Sequence, residues 1–401
     1  MKPKLLVLTS SFMRWKNDSS SGHVFVYELS KRLLDTFDVF VLAPCARKSK
    51  KEEEIDGLKI HRFNQFPLFN IELAKIGGIL NNLKRNRFLY FVLPFFLIMQ
   101  LISIARIVRI EKIDVIHAHW IIPQAFLAIL YKKLSRANIK IIATIHGSDF
   151  WKLDSKFSRR IRKYVFNNID ELTVVSTFLR DAVIEFGYKK EVYVYPMGVD
   201  TATFSPDKKS LTIKERLKLS GECLLFVGAC TENKGIRYLI KAIPSIVKVY
   251  PRVKLIIIGD GPLKVEMIKL ARQLNVEESV IFLGAMLNNE LPEYYATADY
   301  FILPSFSEGF PVALMEAMSS GCIPICSDIP IFNSVLDEGK TGFIIETQCF
   351  ESISDKVISA LKNIDTNSDI RSEIRSYAVK NYDWSDICGK YELLLSKVLK
   401  S

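Results

Sequence analysis

Short runs of Val, Ile, Leu and Phe recur along the whole chain, and longer stretches with a helical period separate many of them. A run with almost no polar residue is typical of a strand that is buried on both faces, as in a parallel sheet. The stretch from Ile236 to Val249 shows the intervening pattern and predicts a helix. Strands that alternate with helices form β-α-β units, so each half of the chain is predicted to be α/β, with a doubly wound sheet. The predicted strands are residues 4–9, 39–43, 115–119, 139–145, 172–175, 224–227, 255–258, 281–283, 300–303 and 323–326.

The length of 401 residues favours two domains over one. A Pro and a Gly punctuate the chain at residues 195–200 (YPMGVD), where its charge character also changes. We therefore predict a first domain over residues 1–197 and a second over residues 198–382, with a last helix at about residues 383–401 that packs back on the first domain. Ligands in open α/β sheets bind at the carboxyl ends of the strands, so two such domains predict an active site in a cleft between them.

Positive charge is concentrated in the first half of the chain. Residues 1–200 contain 32 Lys and Arg against 19 Asp and Glu, whereas residues 201–401 contain 23 against 25. This asymmetry indicates that the first half faces an anionic partner, for which nucleic acid, anionic lipid and a phosphorylated acceptor are candidates. No helix-turn-helix, zinc-finger or RNA-binding aromatic motif accompanies the charge. We therefore expect an anionic membrane surface and no nucleic acid as partner.

The stretch from Phe88 to Ala105 contains eighteen residues without a charge, interrupted by Pro94. That length just reaches the threshold for a membrane span. The sequence leaves three interpretations open: a buried or half-buried helix, a helix lying on the membrane surface, and a span. The basic residues that flank the stretch are Lys84, Arg85, Arg87, Arg106 and Arg109.

The segment SFSEGFPVALMEAM (residues 305–318) carries the strongest chemical signal. It follows a predicted strand, passes a Gly turn and enters a helix with Pro311 at its first position. Backbone N–H groups at such a helix start can hold a phosphate. Glu308 is predicted at the mouth of the site and Glu316 in the second helical turn, and neither has a cationic neighbour in sequence. The alternative is that one Glu is a plain surface residue and the other a helix-interior residue.

A second segment, FVGACTENKG (residues 226–235), places Lys234 between a strand and a helix. A lysine there can neutralise a diphosphate as a point charge. An ordinary exposed lysine before a helix would give the same pattern, so this signal is weak when taken by itself.

Cysteine and histidine usage adds two expectations. The seven cysteines are odd in number and scattered, without a C-x-x-C pair, which predicts reduced thiols in a cytoplasmic protein. All five histidines lie in the first half, and His117, His119 and His146 lie near predicted strand ends. A zinc site built from these three is one interpretation, and polar residues at the edge of a cleft are the other.

Together these motifs resemble glycosyltransferase family 4, the retaining nucleotide-sugar transferases of the GT-B fold. The most specific part is the E-x7-E pair within PSFSEGFPVALMEAMSSG. Further segments support it over more than 300 residues: SSGHVFVYELSKRL, DVIHAHW and TIHGSDF in the first half, and KGIRYLIKAI, LIIIGDGP, YYATADYFILPS and DEGKTGFI in the second. The resemblance implies two Rossmann-like domains that face each other across a cleft.

The resemblance also implies roles for individual residues. Glu308 would contact hydroxyls of the donor hexose near the reacting carbon, Glu316 would accept hydrogen bonds from the ribose hydroxyls, and Lys234 would bind the diphosphate. The backbone at the helix start would assist there, through Gly309, Phe310, Pro311 and Val312.

In the first domain, His146 would meet the 6-position of the donor sugar or the acceptor edge. Gly22 would let the backbone approach the donor phosphate, because a Cβ would hold the phosphate away. Glu308 and His146 are thus the candidate catalytic residues, with no covalent nucleophile.

Three positions depart from the family's pattern. Ala229 stands where an Arg is common, so one phosphate-binding cation is missing, and Arg237 is the candidate replacement. A Gly-Gly in the first loop is Ser21-Gly22 here, and Met197 replaces an Asn at the domain joint. These changes bear on donor affinity.

The implied function is a retaining hexosyltransferase that uses a UDP- or GDP-sugar and serves cell-surface polysaccharide biosynthesis. Because the sequence contains no D-x-D, neither a metal nor another cofactor is expected. The acceptor would be a saccharide or a lipid-linked saccharide, and the protein would be cytoplasmic and peripheral on the inner face of the cell membrane. The alternatives are another GT-B enzyme, such as a nucleotide-sugar epimerase or a phosphorylase, and a catalytically silent nucleotide-sugar-binding homologue.

Overall fold

A computed structural model describes residues 2–16, 24–66, 71–74, 78–151, 155–363 and 368–400. The chain divides into two compact units. Unit 1 comprises Met1–Pro196 together with Ser385–Ser401, and unit 2 comprises Met197–Trp384.

In its described residues, unit 1 is built on an eight-stranded sheet. The strands are β1 (Lys4–Leu8), β2 (Asp38–Pro44), β3 (Glu52–Ile55), β4 (Leu58–Phe63), β5 (Val115–His119), β6 (Lys140–Ile145), β7 (Glu171–Val174) and β8 (Val192–Val194). Their order across the sheet is β3-β4-β2-β1-β5-β6-β7-β8. The β3–β4 pair is antiparallel, whereas the other neighbours are parallel.

Helices follow most strands of unit 1 and cover the sheet. They are α1 (Val24–Arg32), α2 (Ile79–Arg85), α3 (Leu89–Glu111), α4 (Phe126–Ser135), α5 (Ser148–Trp151), α6 (Lys156–Phe166) and α7 (Thr177–Glu185). Two of them begin with a serine cap: the Ser155 hydroxyl accepts the Ser158 N–H before α6, and the Ser176 hydroxyl accepts the Leu179 N–H before α7. Such caps satisfy backbone donors that the first helical turn leaves without a partner.

Unit 2 contains a six-stranded sheet in which the paired strands are parallel. The strands are β9 (Cys223–Val227), β10 (Lys254–Ile258), β11 (Val280–Gly284), β12 (Tyr300–Leu303), β13 (Ile323–Ser327) and β14 (Phe343–Ile345), in the order β11-β10-β9-β12-β13-β14. The helices are α8 (Leu211–Arg216), α9 (Ile236–Val249), α10 (Lys264–Gln273), α11 (Leu291–Thr297), α12 (Val312–Ser319), α13 (Pro330–Asn333), α14 (Phe350–Lys362) and α15 (Ser368–Tyr382). The last helix of the chain is α16 (Trp384–Lys400).

The central strands of both sheets are buried on both faces, which is why they read as continuous apolar runs. Every residue of β5, β12 and β13 is buried. Each large apolar side chain removed from water in this way stabilises the fold by about 1.5–3 kcal/mol. The ten predicted strands are all present, and the predicted helix from Ile236 to Val249 is α9. The α/β class and the doubly wound parallel sheets are thus confirmed.

Four strands in the described part of the chain were not predicted. β3 and β4 form a hairpin closed by Asp56 and Gly57, both with positive φ. An Asp-Gly pair between two strands is a strong hairpin signal, so this one was available in the sequence. β8 and β14 contain only three residues each and lie at sheet edges, where an apolar run is too short to stand out.

The uncharged stretch from Phe88 to Ala105 lies almost entirely within α3, a helix of 23 residues. One stripe of α3 is buried in unit 1, while several apolar side chains of another stripe are exposed. By length and composition alone, α3 could cross a membrane. The structure therefore makes it a half-buried helix with an open apolar side.

Candidate functional site

Lys234 lies in the loop that joins β9 to α9. Gly235, which follows it, has φ +67°, and a Cβ at this position would lie 1.9 Å from the carbonyl oxygen of Pro304. The Phe306 N–H donates to the Asn233 carbonyl oxygen at 2.8 Å. The loop after β9 is therefore held against the loop after β12, and only a glycine permits this approach.

This contact brings Lys234 to Glu308. The Lys234 Nζ atom lies 2.6 Å from Glu308 Oε1, and the two side chains are 22% and 10% exposed. Glu308 has no cationic neighbour in the sequence, because its partner lies 74 positions earlier in the chain. Two of the predicted site residues thus form one ion pair at the carboxyl ends of neighbouring strands.

The helix start after Glu308 is more closed than predicted. The Val312 N–H donates to the Phe310 carbonyl oxygen at 3.2 Å, and the Leu314 N–H donates to the Pro311 carbonyl oxygen at 2.9 Å. Pro311 has no N–H and lies just before α12, in which Val312 is the first residue. Pro311 can therefore shape this turn but cannot donate a hydrogen bond to a phosphate. Gly309 and Phe310 lie in the same turn and are half-buried.

Glu316 lies in the second turn of α12, as predicted, and is buried. The Tyr295 hydroxyl on α11 donates to Glu316 Oε2 at 2.9 Å. Burial raises the pKa of Glu316 to about 7, and the hydrogen bond from Tyr295 offsets part of that rise. The Tyr295 pKa is itself raised well above its usual value by burial, so Tyr295 stays a donor at neutral pH.

The candidate replacement for the missing arginine has another partner. Arg237 Nη2 lies 2.7 Å from Glu266 Oε1, and Glu266 belongs to α10. Ala229 is exposed in the loop after β9. Lys234 is therefore the cation that the described structure places beside Glu308, and Arg237 is engaged with α10.

In unit 1, His146 follows β6 and is 8% exposed. Its ring centroid lies 4.9 Å from the rings of both Phe25 and Trp120. Its backbone N–H donates to Asp149 Oδ1 at 3.2 Å, and the Ile121 N–H donates to Asp149 Oδ2 at 2.9 Å. Burial raises the pKa of Asp149 to about 6, while these backbone donors oppose the rise. The buried Asp149 therefore fixes the turn that carries His146.

Two further buried histidines, His119 and His117, lie near His146. His119 Nδ1 lies 3.0 Å from His146 Nε2, and His117 Nε2 lies 2.7 Å from the Thr144 hydroxyl. Burial lowers the pKa of His117 to about 3 and also lowers that of His119, so both rings are neutral at pH 7. The structure therefore contains a chain of ring contacts from His117 through His119 to His146.

The described residues contain no group of three or more His, Cys, Asp and Glu side chains that could hold a metal ion. His117, His119 and His146, which were considered as a zinc site, do not form such a group. His119 Nδ1 and His146 Nε2 point at each other and not at a common point where a metal could bind.

Gly22, predicted in the first phosphate loop, lies outside the described residues. Sequence reasoning did not single out Tyr295, and it named His119 without its contact to His146, because only the fold creates these contacts. It also missed Ser305, whose hydroxyl lies buried at the end of β12 without a hydrogen-bond partner in the described part of the chain. An unpaired buried hydroxyl three positions before Glu308 requires an explanation, and a bound ligand would supply one.

In unit 2, the hydrogen-bonded loops after β9 and β12 place a cation beside a carboxylate, and α12 carries a buried carboxyl group. A cation of this kind can neutralise a phosphate, and carboxylates can accept hydrogen bonds from sugar hydroxyls. This chemistry suits a ligand with both phosphate and hydroxyl groups.

Comparison with known proteins identifies the family of the chain. The family model "Glycosyltransferase Family 4" matches residues 22–203, and the model "Glycosyl transferases group 1" matches residues 207–378. The chain is 27% identical over 301 residues to the N-acetyl-alpha-D-glucosaminyl L-malate synthase of Bacillus anthracis, covering 74% of this chain and 78% of that protein.

A second relative is a GDP-mannose-dependent alpha-(1-6)-phosphatidylinositol monomannoside mannosyltransferase of Mycobacterium tuberculosis. It is 25% identical over 282 residues, which cover 68% of this chain and 73% of the relative. Among solved structures, HepE of Anabaena in complex with UDP superposes with a TM-score of 0.77 at 16% identity, over 98% of this chain and 100% of that one.

The two family models together account for both units, and the structural likeness establishes the fold. The resemblance drawn from the E-x7-E segment is therefore confirmed: the chain belongs to glycosyltransferase family 4 and has the GT-B fold.

Proposed function

We propose that this glycosyltransferase moves a hexose from a UDP- or GDP-sugar to a saccharide or lipid-linked acceptor, with retention at the anomeric carbon. The observation that carries the proposal is the ion pair of Lys234 and Glu308, which lie on two hydrogen-bonded loops of unit 2. The buried Glu316 lies on the helix that follows. In this proposal, Lys234 binds the diphosphate, Glu308 the hexose and Glu316 the ribose.

The donor class is supported by the relatives. One relative is named for its dependence on GDP-mannose, and a structural neighbour was solved with UDP. Both nucleotides therefore remain candidates for this chain. The acceptor proposal draws on the mannosyltransferase, which is named for a phosphatidylinositol-based acceptor.

In the proposed mechanism, Lys234 stabilises charge that develops on the leaving diphosphate. Glu308, fixed by Lys234, orients the hexose hydroxyls, and Glu316 anchors the ribose. His146 contacts the transferred sugar or the acceptor. The acceptor hydroxyl attacks from the face that the diphosphate leaves, and a phosphate oxygen takes its proton. Such a reaction needs neither a covalent protein nucleophile nor a metal.

We also propose that the protein works in cell-surface polysaccharide biosynthesis, peripherally on the inner face of the membrane. The positive charge of residues 1–200, with 32 Lys and Arg against 19 Asp and Glu, supports an anionic surface as partner. A lipid-linked acceptor would be presented at that surface.

The experiment that tests the proposal incubates the protein with UDP-glucose or GDP-mannose and short polyprenyl-diphosphate saccharides, with and without EDTA. Proton NMR of the product reports the anomeric configuration. We expect one donor class to give an α-linked product at the same rate in EDTA. A β-linked product would refute retention, and loss of activity in EDTA would refute metal independence. Binding without turnover for every acceptor and for water would favour a silent homologue.

A further inference from the structure

Helix α3 presents two different sides. From Leu89 to Ile107 the buried residues follow one another at intervals of three or four positions, and Val108 lies four positions after Ile104, so they form a single stripe along the helix. These buried residues are Leu89, Val92, Phe96, Gln100, Ile104, Ile107 and Val108. A second set, spaced in the same way, is exposed and apolar: Phe88, Phe91, Phe95, Ile98 and Ile102. We call this second set the α3 stripe.

The α3 stripe is long and continuous. Phe91 is 74% exposed, Ile98 53% and Ile102 55%. The fifteen residues from Phe88 to Ile102 are joined by fourteen helical steps, which correspond to about 21 Å. Single exposed apolar residues are normal on protein surfaces, but an unbroken row of this length marks an interaction site.

Exposed basic residues lie at both ends of the α3 stripe. Lys84, Arg85 and Arg87 precede it, and Arg106 and Arg109 continue its spacing beyond Ile102. Among these, Arg106 is 3.6 Å from Glu52, in a pair whose side chains are both more than half exposed. An apolar row bracketed by cations matches a surface that has an apolar interior and anionic headgroups.

A second helix of unit 1 also has exposed basic residues. α4 contacts both α3 and α6. On α6, Arg159, Arg160 and Lys163 are exposed, and Phe157 is 72% exposed. Exposed positive charge in unit 1 is therefore not confined to α3.

The buried stripe of α3 packs against other elements of unit 1. The rings of Phe96 and Phe63 pack edge to face with centroids 5.1 Å apart, and α3 also contacts β2, β4 and α4. A spanning position would expose β4 and α4 and break these contacts. These contacts oppose a membrane-spanning position and leave the exposed side of the helix as the surface for an interaction.

We infer that the α3 stripe docks unit 1 on an anionic bilayer, with the helix axis parallel to the membrane plane. The apolar side chains enter the boundary between headgroups and acyl chains, and the basic residues at both ends contact lipid phosphates. The inference rests on the peripheral location in the proposed function and names the surface that produces it. It does not depend on which sugar is transferred.

The test is flotation of the full chain with vesicles of phosphatidylcholine that contain about 30% phosphatidylglycerol. The test variant combines Phe91→Gln, Ile98→Gln and Ile102→Gln. The matched control combines Leu211→Gln and Val265→Gln in unit 2, which are 73% and 66% exposed. We expect the wild type and the control to float, and the test variant to bind at least about tenfold more weakly. Neutral vesicles and high salt should weaken wild-type binding, because the basic residues contribute.

Nucleotide-sugar binding, measured by thermal shift, monitors folding of the variants and separates the two proposals. Unchanged nucleotide binding together with lost flotation supports the docking surface. Equal flotation of the test variant and the wild type overturns it, as does a wild type that never binds vesicles. A wild-type dimer that the test variant converts to a monomer, without vesicle binding, would assign the stripe to a second copy of the chain and also overturn the inference. A protein that floats but binds no nucleotide sugar keeps the docking surface and refutes the proposed donor.

Discussion

Lys234 Nζ and Glu308 Oε1 lie 2.6 Å apart, although 74 positions separate the two residues in sequence. The pair is partly shielded from solvent, so its attraction is screened less than that of an ordinary surface pair. In the proposed function, the donor diphosphate binds a lysine whose Nζ atom is already positioned by Glu308.

The first prediction separates binding from turnover at this pair. Lys234→Met should weaken binding of UDP or GDP by about 1.5–3 kcal/mol, roughly 10- to 100-fold, because a charge-assisted hydrogen bond is lost. Glu308→Gln should leave that affinity unchanged or tighter, since it removes a competing anion, while lowering the turnover number by at least about 100-fold. Calorimetry and initial rates measure the two effects.

Glu266→Gln is the control, because it removes the carboxylate from the Arg237 pair on the neighbouring helix. It should change neither quantity by more than about twofold, as expected for an exposed pair. If Glu308→Gln weakens nucleotide binding as strongly as Lys234→Met does, the two residues do not divide the roles as described.

The second prediction concerns pH. Burial raises the pKa of Glu316 to about 7, and the ionised form is the better acceptor for ribose hydroxyls. Protonation below that pKa should therefore weaken donor binding, by up to about tenfold per pH unit, and affinity should level off above it. A nucleotide sugar is the right probe, because its diphosphate does not titrate in this range as a terminal phosphate does.

Tyr295→Phe sharpens this test. The Tyr295 hydroxyl donates to Glu316 at 2.9 Å and lowers its pKa, so its removal should move the loss of affinity to higher pH. Glu316→Gln should make the profile flat. Identical pH profiles for the wild type and Tyr295→Phe would contradict the role given to this hydrogen bond.

The third prediction concerns the close contact between the loop after β9 and the loop after β12. Gly235→Ala places a Cβ 1.9 Å from the Pro304 carbonyl oxygen at a φ of +67°, so one of the loops must move. We expect a loss of at least about 2 kcal/mol in the free energy of unfolding, with loss of donor binding. Gly389→Ala, within α16 and with open space around it, should be neutral or stabilise by about 0.5–1 kcal/mol. Denaturant titration compares the two, and equal stabilities would refute the close approach.

The fourth prediction concerns the histidines of unit 1. His119→Phe removes the nitrogen that lies 3.0 Å from His146, so His146 should lose its fixed orientation and the turnover number should fall about tenfold. His119→Asn keeps a polar atom near that position and should recover part of the rate. Nucleotide-sugar binding should be unchanged in both variants, and equal rates for Phe and Asn would show that His119 acts only as packing.

The sequence predicted those features that depend on local pattern. The central strands were recognisable because burial on both faces forces a continuous apolar run, as in β5 and β12. Edge strands such as β8 escaped because three residues form no pattern, and the β3–β4 hairpin because its strands carry charges.

The site was predicted as residue types but not as contacts. The E-x7-E segment indicated Glu308 and Glu316. The sequence around them does not predict that Lys234 pairs with Glu308 or that Tyr295 pairs with Glu316. The Lys234–Glu308 pair arises from strand order, since β9 and β12 are neighbours in the sheet but not in the chain. The Tyr295–Glu316 pair arises because α11 and α12, the helices before and after β12, contact each other. Arg237 shows the converse, because its position suggested a phosphate and the fold gives it Glu266.

The most direct test of donor binding in unit 2 is a thermal-shift panel of UDP-, GDP- and ADP-sugars on the wild type and on Glu316→Gln. A ligand at 100 times its dissociation constant adds about 2.7 kcal/mol to the stability of the native state. We expect one nucleotide class to raise the melting temperature of the wild type and to raise that of Glu316→Gln by much less. If no nucleotide sugar shifts the wild type at millimolar concentration, or if Glu316→Gln responds as the wild type does, the assignment of the donor site is contradicted.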